Sequence, residues 1–245
     1  MTVCIHQPNL FPWIGFFHKI FESDIYVSLD DVQLARNSFT RRVHIRANEK
    51  SDSLAYLTLP LVKHHQLTDI NKNFIDKDQL WQERILNQIK NTYRHAPSFK
   101  KFFPEVESWL TETKKLNRLD EVNFFLIEKI FDYTNIRPKT ILKSSELNIK
   151  DFHSSDYILE ICKKLNASVY LSGIGSKNYL RGEDFKKNHI ELKYIDFREL
   201  HTRYHTEQHQ GSKHIAGLSI LDMLMNTSKE TFLQHLQTLN SRKNR

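Results

Sequence analysis

Two short apolar runs near the beginning of the chain, each followed at once by polar residues, constrain the fold more than any other feature. The first run covers residues 3–5 and leads into the polar segment 6–9, and the second covers 25–29 and leads into 30–33. A turn containing a proline and a tryptophan, with a short amphipathic stretch, occupies 12–21 between them. This order is typical of a strand–loop–helix–strand unit, which places ligands at the carboxyl ends of its strands.

The rest of the chain continues this pattern of strands and helices. Runs at 43–45 and 54–59 predict two further strands, and helical spacing takes over between about 76 and 135, where Pro97 and Pro104 punctuate the segment. The later pattern predicts strands at 140–142, 169–171 and 192–197, and helices at 156–165, 220–225 and 229–239. We therefore expect a single α/β domain over residues 1–245, with a mostly parallel, Rossmann-like three-layer core and a helical insert at about 76–135.

Charge favours an anionic partner. The 245 residues carry a formal net charge of +7, and the sequence pI is near 9.2. The basic residues are scattered, and no recognition helix, zinc-finger spacing or aromatic RNA-binding motif is visible. We therefore expect a phosphorylated or otherwise anionic small molecule, or an acidic carrier protein, rather than nucleic acid.

Cysteine content and hydropathy predict a cytoplasmic protein. The sequence has two cysteines, Cys4 and Cys162, which fits a reducing compartment better than secretion. No apolar run approaches the roughly 20 residues of a membrane helix, and polar residues interrupt the apolar start where a signal peptide would continue. Cys4 is a candidate nucleophile, although a cysteine in a strand is usually inert core.

The segment His6-Gln7-Pro8-Asn9 offers groups for catalysis and binding. A neutral His6 imidazole could act as a general base near pH 7, because its ordinary pKa is about 6.5. Gln7 and Asn9 carry amide donors and acceptors that could fix the polar groups of a substrate. The alternative is a turn held by Pro8 and Asn9, in which His6 is merely hydrogen-bonded.

The next stretch invites comparison with the His-x-Gly-His signature of nucleotidylyltransferases. Gly15 matches the glycine, but Trp13 and Phe16 stand where the two histidines would stabilise phosphate charge. Their absence argues against nucleotidyl transfer. Lys19 is either an anion ligand or an exposed lysine of a helix.

Two carboxylates, Asp30 and Asp31, follow the second apolar run directly. Adjacent residues of a strand point to opposite faces, so one carboxylate would meet the ligand while the other caps the next segment. Downstream, residues 36–42 form a polar, cationic stretch in which Arg41 could bind phosphate through a bidentate contact. The alternative for this stretch is a solvated loop.

A glycine-containing loop, Ser172-Gly173-Ile174-Gly175-Ser176-Lys177, follows a predicted buried strand. Its glycines would let backbone amides approach an anion. The loop has neither the third glycine of the dinucleotide fingerprint nor the residue order of a P-loop. It therefore predicts a ligand loop without specifying a nucleotide.

Four histidines near the end of the chain, His201, His205, His209 and His214, resemble a set of metal ligands. In a helix the first three would share one face, but a nearby glycine and polar neighbours favour a loop, and no cysteine joins them. We therefore expect no metal site. A Ser-His-Asp triad cannot be assembled from the sequence either.

Taken in order, these segments resemble the WbqC-like family of bacterial surface-polysaccharide clusters, over nearly the whole chain. The resemblance rests on residues 6–9, 12–15, Lys19, 29–33, the Arg41 region, Ser172-Gly173, Lys177, Tyr179-Leu180, 219–224 and Asn226. The family pattern usually has Asn where this chain has Thr40. It also tends to have Gly after the final Asn, where this chain has Thr227 and Ser228.

The resemblance implies an enzyme of O-antigen or lipopolysaccharide biosynthesis, because family members are often labelled glycine or other acyltransferases. The implied reaction transfers an acyl group, such as glycyl, onto the amino group of a nucleotide-linked sugar. The implied donor is an acyl thioester of coenzyme A or of the phosphopantetheine on an acyl carrier protein. No other cofactor is implied.

Within that hypothesis, His6 would deprotonate the amine, and Asp30 would orient His6 or bind a sugar hydroxyl. The developing oxyanion would be held by amide groups from Gln7, Asn9, Gly173 and Gly175. The nucleotide phosphates or the carrier's phosphopantetheine would meet Lys19, Arg41 and Lys177. The remaining candidate substrate contacts are Trp13, Asp31, Gln33, Ser172 and Tyr179.

Two other functions stay open at this point. One is an ATP-dependent activating enzyme with a nucleotidylyltransferase-like fold, and the other is a non-catalytic binding module of a polysaccharide assembly complex. The sequence also leaves Asp222 and Asn226 either lining the site or organising the last helices. Ser219, three residues before Asp222, predicts the start of a capped helix.

Overall fold

Five short strands form a fully parallel sheet at the centre of the structure. The structure is a computed structural model that describes residues 1–48, 53–63, 68–197 and 215–243. Its strands and helices, numbered in chain order, are β1 (Thr2–His6), α1 (Ile14–Phe21), β2 (Ile25–Ser28), β3 (Arg42–Arg46), β4 (Leu54–Thr58), α2 (Trp81–Tyr93), α3 (Phe99–Glu112), α4 (Leu119–Thr134), β5 (Thr140–Lys143), α5 (Ser154–Lys164), β6 (Val169–Gly173), α6 (Gly182–Lys187), β7 (Glu191–Ile195), α7 (Ile220–Asn226) and α8 (Lys229–Lys243).

Alternate residues of each strand face opposite layers of helices. In β1, Val3 and Ile5 pack into a cluster with residues of α5 and α6, whereas Cys4 packs into a second cluster with residues of α1 to α4, α7 and α8. Such alternation follows from the two-residue period of a strand. Both faces of the sheet are therefore covered, and the predicted α/β core with parallel strands is confirmed.

The order of the strands creates a switch point beside β1. The sheet runs β5-β2-β1-β6-β7, and every neighbouring pair is parallel. Val3 of β1 lies opposite Ile25 of β2 on one side and Tyr170 of β6 on the other. The connections after β1 and β6 leave toward opposite edges, so their loops diverge and open a crevice at the carboxyl ends of the strands.

The strands predicted at 43–45 and 54–59 form a separate antiparallel hairpin of β3 and β4. Val43, Ile45 and Leu57 are buried on the side that faces the core. The backbone of the hairpin is tied to the start of α7, since Ser219 N donates to His44 O at 2.9 Å. Periodicity identified these strands but could not identify their partners.

The predicted helical segment contains α2, α3 and α4, and Pro104 lies inside α3 instead of ending a helix. A proline within a helix removes one backbone hydrogen bond and crowds the preceding turn. Burial of Phe102, Val106 and Trp109 stabilises α3 on both sides of that position. Within the described residues, every helix is too short or too polar to cross a lipid bilayer.

Asp222 and Asn226 organise the last helices. Asn226 Nδ2 donates to the Asp222 carbonyl oxygen at 2.8 Å, one turn earlier in α7. Ser219 caps α7, because its Oγ accepts a hydrogen bond from Leu221 N at 3.2 Å and donates to Phe11 O at 2.9 Å. Asp222 is fully buried, with one carboxylate oxygen 3.7 Å from Arg46 Nε and accepting a hydrogen bond from the Tyr93 hydroxyl at 3.0 Å. These contacts join α7 to the hairpin and to α2.

Asp222→Ala should lower the free energy of unfolding by about 3–5 kcal/mol, because it leaves a buried guanidinium without its carboxylate. The matched control is Asp184→Ala, which removes the partner of Arg181 on the surface and should leave the unfolding midpoint nearly unchanged. Urea denaturation of both variants measures the difference. Equal midpoints for the two variants would contradict a structural role for the buried pair.

Candidate functional site

A cavity of about 860 Å³ opens at the carboxyl ends of β1, β6 and β7. Its position is the switch point of the sheet, where ligands bind in open α/β folds. The walls are mainly apolar and aromatic. The lining residues are Ile5, His6, Gln7, Trp13, Gly15, Phe16, Lys19, Leu29, Phe39, Ile158, Tyr170, Ser172, Gly173, Ile174, Gly175, Ser176, Tyr179, Ile195, Asp196, Phe197, Ala216 and Gly217.

The cavity brings together candidates from two segments, 6–19 and 172–179, that are far apart in the sequence. Those that line it are His6, Gln7, Trp13, Lys19, Ser172, Gly173, Gly175 and Tyr179. Those that do not line it are Asn9, Asp30, Asp31, Gln33, Arg41 and Lys177. The charged side chains in the described lining are Lys19 and Asp196, so most of the cavity wall is uncharged.

Lys19 is a buried cation at the wall of this cavity. It lies in the last turn of α1, is 3% exposed, and donates from Nζ to the Ile5 carbonyl oxygen at 3.0 Å. Within the described residues no carboxylate pairs with it. Burial therefore lowers the pKa of Lys19 from its ordinary 10.5 to about 8, with a small opposing effect from Cys4. The alternative that Lys19 is an exposed lysine of a helix is therefore wrong, because the side chain is buried.

His6 lies beside Lys19 and is held in one tautomer. Its Nδ1 lies 2.9 Å from the Gln7 carbonyl oxygen, which can only accept a hydrogen bond, so Nδ1 carries the proton and Nε2 carries the lone pair. Burial, followed by the positive charge of Lys19, lowers the pKa of His6 to about 3. The imidazole is therefore neutral at physiological pH and a weak base. Gln7, and not Asp30, orients the ring.

Trp13 and Gly15 shape the mouth of the cavity together. The Trp13 indole makes an edge contact with the Phe197 ring, at 4.8 Å between centroids. Both rings lie against Gly15: a Cβ atom there would be 2.2 Å from the indole and 2.8 Å from Phe197. The glycine that the sequence analysis compared with a nucleotidylyltransferase signature is thus required by the packing of these two aromatic rings.

The loop after β6 is held by two serines. Ser172 Oγ lies 2.7 Å from Ser176 Oγ, which in turn donates to the Gly173 carbonyl oxygen at 2.8 Å. The residues from Ile174 to Asn178 form a short 3-10 helix. Gly175 faces open space, since a Cβ atom there would meet nothing within 4 Å. The wall formed by this loop therefore has room for a ligand.

Asp30 and Asp31 connect β2 to the turn after β5. Asp30 accepts hydrogen bonds from the Ser145 amide at 3.0 Å and the Ser145 hydroxyl at 2.7 Å. Ser144 Oγ lies 3.0 Å from Asp30 and 2.5 Å from Asp31, and the Tyr157 hydroxyl donates to Asp31 at 2.6 Å. These carboxylates are thus engaged in fixing two strand ends to each other and to α5.

Asn9 and Thr40 fix the loop beneath His6 and Gln7. Thr40 Oγ1 lies 3.3 Å from both Gln7 Oε1 and Asn9 Oδ1. Asn123 of α4 donates from Nδ2 to the carbonyl oxygens of Pro8 and Thr40, at 2.8 and 2.6 Å. Thr40, where the family pattern has Asn, is fully buried in this network.

The remaining candidates lie outside the cavity lining. Gln33 forms a backbone bridge with Asp69, and Arg41 donates from Nε to the Leu59 carbonyl oxygen at 3.2 Å. Lys177 Nζ lies 5.0 Å from the centre of the Tyr194 ring.

The histidine cluster of the sequence analysis, His201, His205, His209 and His214, lies outside the described residues. In the four described ranges, no group of three or more His, Cys, Asp or Glu side chains is arranged to hold a metal ion. Cys4 is fully buried, and burial raises the pKa of its thiol, so this thiol stays protonated inside the core.

Sequence reasoning missed several aromatic and apolar walls of the cavity. Phe39, Tyr170 and Phe197 come from three different segments. Phe39 lies inside the polar, cationic stretch 36–42, but only the polar residues of that stretch predict contact with a ligand. Phe16, which stands at a histidine position of the nucleotidylyltransferase signature, lines the cavity as well. A cavity wall of this kind has the same sequence signal as a buried core, so only the arrangement of the strand ends separates the two.

A five-stranded parallel sheet with an apolar cavity at its switch point defines an α/β protein of Rossmann-like architecture. The chain belongs to the WbqC-like protein family, whose model matches residues 7–233. The uncharacterized protein Rv1507c of Mycobacterium tuberculosis (strain ATCC 25618 / H37Rv) is 24% identical over 232 residues, which cover 93% of this chain and 94% of that protein. No solved structure matches the chain.

Gly15→Ala should lower the free energy of unfolding by about 1–3 kcal/mol, because the new methyl group displaces the Trp13 indole. This loss should exceed the helical advantage of alanine, which is about 1 kcal/mol. Gly175→Ala is the matched control, since its methyl group meets open space. Urea denaturation followed by tryptophan fluorescence checks both. Unchanged stability and fluorescence in Gly15→Ala would contradict the packing assigned to this glycine.

Lys19→Met should stabilise the protein near neutral pH and remove part of its pH dependence. The folded state binds the Lys19 proton more weakly than the unfolded chain does, so stability in the wild type should rise as pH increases from about 8 to 10.5. Between pH 8 and 10.5 this lysine should raise the free energy of unfolding by about 3 kcal/mol. Urea midpoints at pH 7.5 and pH 10 measure it.

The control for that experiment is Lys163→Met, which removes an exposed lysine paired with Glu160 on α5. This variant should keep the pH dependence of the wild type. If Lys19→Met keeps it as well, the lowered pKa of Lys19 is wrong.

Proposed function

We propose that this chain is an acyltransferase that moves an acyl group from a thioester onto the amino group of a nucleotide-linked sugar. The resemblance to a family of surface-polysaccharide clusters supplies the reaction class. The observation that carries the proposal is the pair of Lys19 and His6 at the wall of an apolar cavity. The thioester would come from coenzyme A or an acyl carrier protein, and the reaction would take place in the cytoplasm.

Lys19 is the proton acceptor in this proposal. A general base works best when its pKa lies near the operating pH, and burial brings the pKa of Lys19 to about 8. Its positive form also disfavours a second ammonium ion nearby, because two like charges repel strongly in an apolar cavity. The cavity would therefore hold at most one positive charge, and the reactive complex would combine neutral Lys19 with the neutral, nucleophilic amine.

His6 is a hydrogen-bond acceptor for the substrate amine. Because Nδ1 donates to the Gln7 carbonyl oxygen, Nε2 presents a lone pair. Its low pKa keeps the ring neutral, so it can align the amine without taking the proton. The base role that the sequence analysis gave to His6 thus passes to Lys19.

The chemical step forms one bond and breaks one. The amine nitrogen attacks the thioester carbonyl carbon, the amide C–N bond forms, and the C–S bond breaks. The proton lost by nitrogen passes through Lys19 to the departing thiolate. The backbone amides near Gly173 and Gly175 are candidates for the developing oxyanion, since the wall beside Gly175 is open.

Turnover with a panel of dTDP- and UDP-amino sugars and acyl thioesters tests the proposal directly. Mass spectrometry should detect the acylated sugar nucleotide with the wild type. Lys19→Met should lower kcat/KM by about 100-fold or more, because general base catalysis contributes a factor of 10² to 10⁴. The control is Lys139→Met, which lies with its partner Asp24 at the amino-terminal edge of the sheet and should retain activity.

The dependence on pH separates the enzyme's base from the substrate's amine. In the wild type, kcat/KM should rise with pH through a midpoint near 8, because neutral Lys19 is the active form. Lys19→Arg keeps the charge but cannot lose its proton, so the rise should disappear with the activity. If Lys19→Arg retains the same midpoint, the titrating group belongs to the substrate and the role of Lys19 is wrong. A wild type that binds the sugar nucleotide without any turnover would favour a binding module.

A further inference from the structure

Four side chains on the outer side of the β3–β4 hairpin form a continuous row that starts at the cavity. The ring centroids of Phe39 and His44 are 5.6 Å apart, and those of His44 and Tyr56 are 4.4 Å apart. The Arg42 guanidinium lies 4.6 Å from the centre of the Tyr56 ring. We call Phe39, His44, Tyr56 and Arg42 the hairpin ring row.

Two rings of the hairpin ring row, Phe39 and Tyr56, are exposed, whereas Arg42 and His44 are half-buried. Aromatic side chains usually bury their surface. Phe39 is 45% exposed and Tyr56 is 42% exposed. The core needs neither ring, because the opposite face of the same hairpin is already closed by Val43, Ile45 and Leu57. Phe39 also lines the cavity, so a ligand could reach from the cavity onto the row without a gap.

The charge of the row suits an anion. Arg42 makes no ion pair with any described residue, and neither strand of the hairpin contains an acidic residue. Burial and the neighbouring Arg42 lower the pKa of His44, so its ring is neutral near pH 7. The row therefore combines neutral stacking faces with one guanidinium.

We infer that the hairpin ring row is a binding subsite for a nucleoside phosphate, with the base stacked on the exposed rings and a phosphate at Arg42. Aromatic rings stack any nucleobase, because every base has a π-face. Guanidinium groups bind phosphate through charge-assisted hydrogen bonds. This inference rests on the proposed function in one respect. It assumes that the acceptor is a nucleotide-linked sugar whose nucleotide binds the hairpin ring row while its sugar enters the cavity.

Isothermal titration calorimetry of the full chain with UDP and ADP tests this subsite without any acyl donor or sugar. Both nucleotides should bind, since stacking does not depend strongly on the base. Tyr56→Ala and Phe39→Ala should each weaken binding by roughly tenfold. Phe152→Ala, which removes an equally exposed aromatic ring on another surface, should leave the affinity unchanged.

Ligand fragments separate the two parts of the subsite. Arg42→Gln should weaken UDP binding and leave weak uridine binding as it is, because uridine carries no phosphate. Inorganic phosphate should bind far more weakly than UDP, since it cannot stack. Far-ultraviolet circular dichroism and thermal melts of each variant distinguish a lost subsite from a lost fold.

Three outcomes would overturn the inference. They are an absence of binding by both UDP and ADP, affinities that Tyr56→Ala and Phe39→Ala leave unchanged, and much tighter binding of a single-stranded oligonucleotide than of UDP. The test is independent of catalysis, because it measures nucleotide binding with no acyl donor and no sugar present. Nucleotide binding without turnover would leave the subsite standing and overturn the acyltransferase proposal alone.

Discussion

The parallel pairing of β1 between β2 and β6 is the constraint on which the rest of the structure depends. It sends the chain to opposite edges of the sheet after β1 and after β6, so two loops part at the carboxyl ends of these strands. The resulting crevice brings His6 close to Ser172 and Gly173, although more than 160 residues of sequence separate them. The same pairing determines which side chains enter each layer, because alternate residues of β1 face opposite sides.

Two buried cations, Arg46 and Lys19, differ in whether a carboxylate lies beside them. Arg46 lies beside the Asp222 carboxylate in the core, and this pair joins the hairpin to α7. Lys19 has a backbone carbonyl oxygen but no carboxylate partner among the described residues. A charge without a counter-ion in an apolar cavity is unfavourable, so its pKa falls instead. The first arrangement fits a structural role, and the second fits a role in proton transfer.

Some polar residues that the sequence singles out line the cavity, and others form hydrogen bonds that hold its walls together. The sequence predicts a catalytic role for Asp30 and a substrate contact for Asp31, yet their oxygens accept hydrogen bonds from serines and a tyrosine that fix neighbouring strand ends. Asn9 is likewise part of a network around the buried Thr40. Sequence reasoning could place all of these groups near strand ends. It could not separate groups that face a ligand from groups that hold the walls, because both are polar and both follow a strand.

The sequence by itself determined the fold class and most of the strands and helices, although it did not predict α6. Hydrophobic periodicity depends only on neighbouring residues and can therefore be read without the fold. Strands β1, β2, β5, β6 and β7, the amphipathic α1 and the cap at Ser219 could all be predicted in this way. The tertiary structure alone decided that β3 and β4 leave the sheet and that Phe39, Tyr170 and Phe197 line one cavity. It also decided the protonation of His6 and Lys19, because the pKa of a group depends on its burial and on charges that only the fold brings near.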